Sequence, residues 1–195
     1  MKNMNRQLQK LIPIPESPID ISGDGFKENC VQLGIDFPTD YVEFSGIYGS
    51  GATCVGIEGD GGDEEEFCPT YRWENFSVYR IGFKNYVDDF FERWDAMREG
   101  GDETSFGLFP EKGGLLPFGG RDDVYFTWRT IGKSSNWNVV VMWGFDENDF
   151  QEFDMGFSEF LYQLLMKKIE IEGFEPGWNP KTEINFETEV YSFPA

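Results

Sequence analysis

Leu115-Leu116-Pro117-Phe118-Gly119-Gly120 leads into Val124-Tyr125-Phe126-Thr127-Trp128. Next come Trp137-Asn138-Val139-Val140-Val141-Met142-Trp143 and a last apolar series from Phe157 to Ile169. The run Val139 to Trp143 is short, β-branched and bounded by Asn138 and Gly144, which predicts a strand buried on both faces. In the strand before it, Val124, Phe126 and Trp128 alternate with Tyr125, Thr127 and Arg129, the pattern of a half-buried strand. Phe157, Phe160, Leu161, Leu164, Leu165 and Ile169 recur at helical spacing and make one apolar stripe. Ser158 suits an N-cap, and Lys167 and Lys168 suit the negative end of the helix dipole. Two or three strands therefore feed a helix that packs on their sheet.

Working outward, Phe83, Val87, Phe90, Phe91, Trp94 and Met97 mark a long amphipathic helix closed by Gly100-Gly101. Ahead of it, Thr53 to Ile57 reads as a strand. Phe67 to Trp73 reads either as its return or as irregular chain, because Pro69 interrupts it. Two helices come first. One covers Gly25 to Leu33 with Phe26, Cys30 and Leu33 on one face, and Gly34 ends it. The other starts at Pro38 and buries Phe37, Tyr41, Phe44 and Tyr48. Gly46 inside it costs about 1 kcal/mol relative to alanine. Residues 1–22 hold Pro13, Pro15 and Pro18 and read as an extended proline-containing arm. Residues 23–169 form the domain. Residues 170–195 read as an acidic tail or strap, in which Ile184, Phe186 and Val190 suit an edge strand. Helices, then strands with an inserted helix, then a closing helix predict an α+β fold, a largely antiparallel sheet packed against helices.

Composition narrows the function classes. The net charge of −20 disfavours nucleic acid and anionic membrane surfaces, which need lysine and arginine. It favours a basic partner steered in by the field, or serves solubility alone. The chain has no histidine, which removes Ser-His-Asp and Cys-His catalysis and the commonest zinc ligand. Cys30, Cys54 and Cys68 are widely spaced and read as reduced thiols in a reducing compartment. No secretory leader or membrane-spanning run is evident, so a cytoplasmic location is expected. No cofactor and no metal is expected.

Three motifs in order carry a resemblance. They are Leu33-Gly34-Ile35-Asp36-Phe37-Pro38-Thr39-Asp40-Tyr41-Val42-Glu43-Phe44, then Leu116-Pro117-Phe118-Gly119 as a turn, then Ser158-Glu159-Phe160-Leu161 after an acidic turn. In this order the chain resembles the SUKH superfamily over about Phe26 to Lys168. That group includes many bacterial immunity proteins and the yeast regulators of cell-wall glucan synthesis. Tyr48-Gly49-Ser50-Gly51 stands where the family often has Asn-Gly. The resemblance implies a non-enzymatic binding protein, usually one that neutralises a cognate toxin inside the cell.

The candidate site residues are carboxylates and aromatics. Asp60, Asp63, Glu64, Glu65 and Glu66 lie among glycines, with spacing that does not fit a calcium loop. They read either as a solvated turn or as an acidic lure for a basic partner. Asp122 and Asp123 read as hairpin chemistry or as an acidic rim beside Tyr125. Tyr71 and Trp73, just past the acidic loop, read as core or as interface anchors. Three functions remain open. The first is an immunity protein, a monomer or weak homo-oligomer, that occludes a basic toxin domain such as a nuclease. The second is a regulatory or scaffold module with several weak partners. The third is a carboxylate enzyme, which has no marked acid–base pair to support it.

Overall fold

The computed structural model describes residues 4–19, 21, 24–55, 71–75, 77, 79, 82–99, 106–121, 124–144, 149–171 and 184–188. The helices are α1 (Met4–Leu11), α2 (Asp24–Leu33), α3 (Thr39–Tyr48), α4 (Phe83–Glu99) and α5 (Phe157–Leu165). The strands are β1 (Gly51–Val55), β2 (Tyr71–Asn75), β3 (Leu115–Arg121), β4 (Val124–Arg129), β5 (Asn138–Met142), β6 (Phe150–Phe153) and β7 (Ile184–Thr188). They form one sheet in the order β6-β5-β4-β3-β2-β1-β7, and every pairing is antiparallel. The fold is α+β, as the order of elements in the sequence implied.

The sheet is buried on both faces in its middle. Leu116, Phe118, Phe126, Trp128, Val139 and Val141 join the larger core with α1, α3 and α5. Leu115, Tyr125, Val140 and Met142 face a smaller core closed by Phe90 and Trp94 of α4. Strand β5 is thus covered on both sides, in line with its unbroken apolar run. Strand β4 departs from its alternating pattern. Tyr125 and Thr127 are buried too, because α4 covers the face that the pattern left to solvent. Periodicity in a strand reports polarity, and a tyrosine and a threonine satisfy it while lying buried. Thr127 Oγ1 donates to the Val140 carbonyl at 2.9 Å, so its burial leaves no orphan hydroxyl.

Leu116-Pro117-Phe118-Gly119 is not a turn. It is the body of β3, with a register shift between Pro117 and Gly119. A bulge is where a strand tolerates proline. Phe118 has no partner in the β4 register, and its carbonyl accepts Tyr41 Oη from α3 at 2.8 Å. The next carbonyl, Gly119, accepts Tyr86 Oη from α4 at 3.0 Å. The Tyr41 ring meets Trp128 edge-on at 4.8 Å and Phe157 edge-on at 4.6 Å. Gly34 ends α2 with φ of 68°, and Ile35 N donates back to the Cys30 carbonyl at 3.1 Å, closing that helix. Pro38 sits one position before α3 as its N-cap rather than inside it.

The N-terminal segment departs most from the sequence reading. Met4–Leu11 is helical where an extended arm was expected. Leu8 and Ile12 are fully buried in the larger core, since their spacing puts them on one helix face together with Asn5. The prolines lie in the following chain, which returns to the fold where Ser50 N donates to the Ile19 carbonyl at 3.0 Å. Gly49, with φ of 72°, permits that approach, because a Cβ there would overlap the Ile19 carbonyl oxygen. At the other terminus, β7 pairs with β1 as an edge strand, and Ile184 and Phe186 enter the larger core. Val190, also expected there, lies outside the described residues.

The closing helix α5 ends at Leu165, earlier than Ile169, because Lys167 takes a positive φ of 51°. Ser158 is not its N-cap. Gly156 holds that position without a side chain to cap with, and Ser158 lies inside the helix. The cap comes from α3. Asp40 Oδ2 accepts Ser158 N at 2.8 Å, and Asp40 Oδ1 accepts Tyr41 N at 2.9 Å. Asn5 completes the node. Its amide donates to the Asp40 carbonyl at 3.0 Å and to Glu43 Oε2 at 2.9 Å, and its oxygen accepts Ser158 Oγ at 2.6 Å.

Two outcomes follow for stability. Asp40→Ala removes the carboxylate at the α5 terminus and is expected to cost about 1–2 kcal/mol, read as a lower urea midpoint at unchanged slope. An unmoved midpoint would mean that α5 does not depend on that cap. Burial pushes the Tyr48 hydroxyl up to about 12 from its ordinary 10. The neutral phenol, which donates to the Ile12 carbonyl at 2.8 Å, is therefore favoured in the folded state. A raised folded pKa keeps its contribution below the unfolded value and loses it as pH climbs through the folded one. Stability should therefore fall across pH 10 to about 12, and Tyr48→Phe should start lower but fall less steeply in that window.

Candidate partner-binding surface

Most of the predicted site residues sit in connections. Asp60, Asp63, Glu64, Glu65, Glu66, Asp122 and Asp123 lie outside the described residues. The strand ends that bound them are described, and their register is informative. β1 and β2 close at Val55 and Tyr71, and β3 and β4 close at Arg121 and Val124. β5 and β6 close at Met142 and Phe150. Because Glu74 pairs with Gly120 and Tyr125 pairs with Met142, all three hairpin ends fall on the same end of the sheet. Ile184, the first residue of β7, pairs with Val55 at that end as well.

The sequence between those ends is acidic. Residues 56–70, 122–123 and 145–148 carry Glu58, the five carboxylates from Asp60 to Glu66, Asp122, Asp123, Asp146 and Glu147, and no lysine or arginine. Antiparallel pairing alone brings together the strand ends that flank these connections, since alternate strand ends of a meander fall on one edge. Sequence reasoning passed over Asp146 and Glu147. They are distant in the chain from the other acids, and only the register relates them.

Tyr71 and Trp73 belong to β2, a strand held between β1 and β3, opposite Val55 and Thr53. Tyr125 is a core residue rather than part of a rim. Its ring is 8% exposed and meets Phe90 edge-on at 5.0 Å. Its hydroxyl lies 3.4 Å from Arg93 Nη1 on α4. Tyr125 and Asp89 together raise the Arg93 pKa, so that guanidinium stays charged at the edge of the smaller core. The polar alternation of β4 placed Tyr125 toward solvent, and the helix that covers it is remote in sequence.

Chemistry in the described part is sparse. Burial pushes the Cys30 thiol up, and Asp36 adds to the shift, which keeps the thiol protonated and unreactive. Among the described residues no group of three or more histidine, cysteine or acidic side chains is placed to hold a metal. No described helix is long and apolar enough to cross a membrane.

The model of one protein family, SUKH_6, described as SMI1-KNR4 cell-wall, matches residues 31–161, about two thirds of the chain. No curated protein and no solved structure matches it. The match begins inside α2 and ends inside α5, so α1 and β7 lie beyond it.

The placement of Tyr125 has a measurable consequence. Tyr125→Ala should lower stability by about 3–5 kcal/mol by emptying the space beside Phe90, whereas Tyr125→Phe should stay within about 1 kcal/mol. A Tyr125→Ala protein that melts like the wild type would return this residue to the surface.

Proposed function

Because the chain belongs to the SUKH superfamily, we propose that it is an immunity protein that binds a cognate toxin domain and blocks it by occlusion. The protein works in the cytoplasm of the cell that makes it, without catalysis, cofactor or metal. The observation that carries this reading is that the strand ends flanking the acid-rich connections all fall on one end of the sheet. A domain of net charge −20 that concentrates carboxylates in this way attracts a basic surface over several ångströms and orients it on approach. A toxin that handles nucleic acid carries such a surface where it binds phosphate. Covering that surface with protein carboxylates excludes the substrate. Binding strength then comes from a few desolvated contacts, while the acids set the rate of encounter.

The description of the matching family favours a second reading, a regulatory module of cell-wall synthesis with several partners. The two differ in stoichiometry. A tagged chain recovered from its native cell at moderate salt should bring down one partner in equal amount if it is an immunity protein. A spread of partners in low amount would favour the regulatory module.

For the captured toxin domain, the association rate should fall steeply with added salt. Asp63→Asn, Glu64→Gln, Glu65→Gln and Glu66→Gln combined should slow association about tenfold or more and leave the melting temperature in place. A rate that ignores both salt and these four changes would remove the acidic end from the mechanism.

A further inference from the structure

We infer that the recess between α1 and α3 is a docking site for an arginine or lysine side chain of a basic protein partner. The inference deepens the reading above and rests on it for the partner being a protein. The recess holds about 480 Å³. Asn5, Arg6 and Gln9 line it from α1, while Glu43, Gly46 and Ile47 line it from α3 beside the Tyr79 ring.

Its walls are preformed. Leu8 and Ile12 seat α1 in the core, and the three hydrogen bonds of Asn5 tie α1 to α3 and α5. No ordering of α1 is then needed when a ligand enters. Gly46 gives the clearest sign of use. Glycine is unfavourable in the middle of a helix, and no described neighbour requires it here. A Cβ at position 46 would meet the Tyr79 ring at 3.6 Å, an ordinary contact. What the missing side chain preserves is open space against that ring.

The lining selects a cation with an apolar stem. Val42, Ile47 and the Tyr79 ring offer apolar surface for methylene groups. Glu43 is exposed at the rim. Its Oε2 accepts Asn5, and no described residue donates to its Oε1. Arg6, the positive charge among the lining residues, already holds an interaction of its own. An entering carboxylate would meet Glu43 and the field of a chain carrying −20, whereas an ammonium or guanidinium is drawn in by both. Because α1 lies beyond the family match at 31–161, one wall of the recess is outside the matched core.

The test uses the full chain, labelled with nitrogen-15 and titrated with N-acetyl-arginine methylamide. N-acetyl-glutamine methylamide and sodium chloride at matched ionic strength are the controls. Saturable amide shifts are expected at Gln9, Val42, Gly46 and Ile47 with the arginine probe alone. Glu43→Gln and Gly46→Leu should each weaken the probe about tenfold. Gly46→Ala should weaken it less and melt no lower than the wild type, which separates a filled recess from a damaged fold. Equal shifts with either control, shifts centred elsewhere, or full binding by Gly46→Leu would overturn the assignment. The captured toxin separates this site from the function proposed above. If wild type and Gly46→Leu bind the toxin equally, the immunity reading stands and the docking site falls. If the probe fills the recess and no toxin is recovered, the site stands and the immunity reading falls.

Discussion

Two tyrosine hydroxyls on successive carbonyls of one strand hold this fold in register. Tyr41 from α3 takes the carbonyl of Phe118, and Tyr86 from α4 takes that of Gly119. The irregularity in β3 leaves Phe118 without a partner in β4, and an unmet buried carbonyl costs about 1–3 kcal/mol. At Phe118 the Tyr41 hydroxyl of α3 supplies what the ladder does not, and at Gly119, which is paired on both sides, Tyr86 of α4 adds a further bond. In doing so they fix where α3 and α4 lie against the sheet. The Tyr41 ring then sets Trp128 and Phe157 edge-on against it, so the same residue orients β4 and α5. A change at Tyr41 therefore reaches four elements at once.

The neighbouring Asp40 extends that control to the closing helix. Its carboxylate stands in for the cap that Gly156 lacks, and Asn5 of α1 braces the arrangement through Asp40, Glu43 and Ser158. The segments beyond the family match are thus structural parts of the domain. α1 delivers Leu8 and Ile12 to the core, and β7 adds Ile184 and Phe186 on the far side of β1. The core keeps the sheet and its helices, while its flanking segments shape the surface.

Much of the fold was legible in the chain. The stripes Phe83 to Met97 and Phe157 to Ile169 identify α4 and α5, although α5 stops at Leu165, and the run Val139 to Trp143 identifies a strand buried twice over, which ends at Met142. Gly34 and Gly49 mark helix ends, since both take positive φ. The candidate site was legible only in part. The acids at 60–66 and 122–123 stand out by composition, but that the strand ends flanking them fall at one end of the sheet with those flanking Asp146 and Glu147 depends on strand register. The recess was invisible, because Gly46 reads as a simple weakness in a helix until Tyr79 and α1 are seen beside it.

By itself the sequence determined the class of elements, their order, the acidity and the absence of histidine chemistry, for these follow from local periodicity and composition. The tertiary structure alone decided what lies opposite what. It turned Leu116 to Gly119 from a turn into a strand, buried Tyr125 under α4, moved the α5 cap from Ser158 to Asp40, and folded Met4–Leu11 into the core. Each of those outcomes depends on a partner remote in the chain. A pattern read along one segment records which side chains prefer burial, and it carries no information on which distant segment covers them.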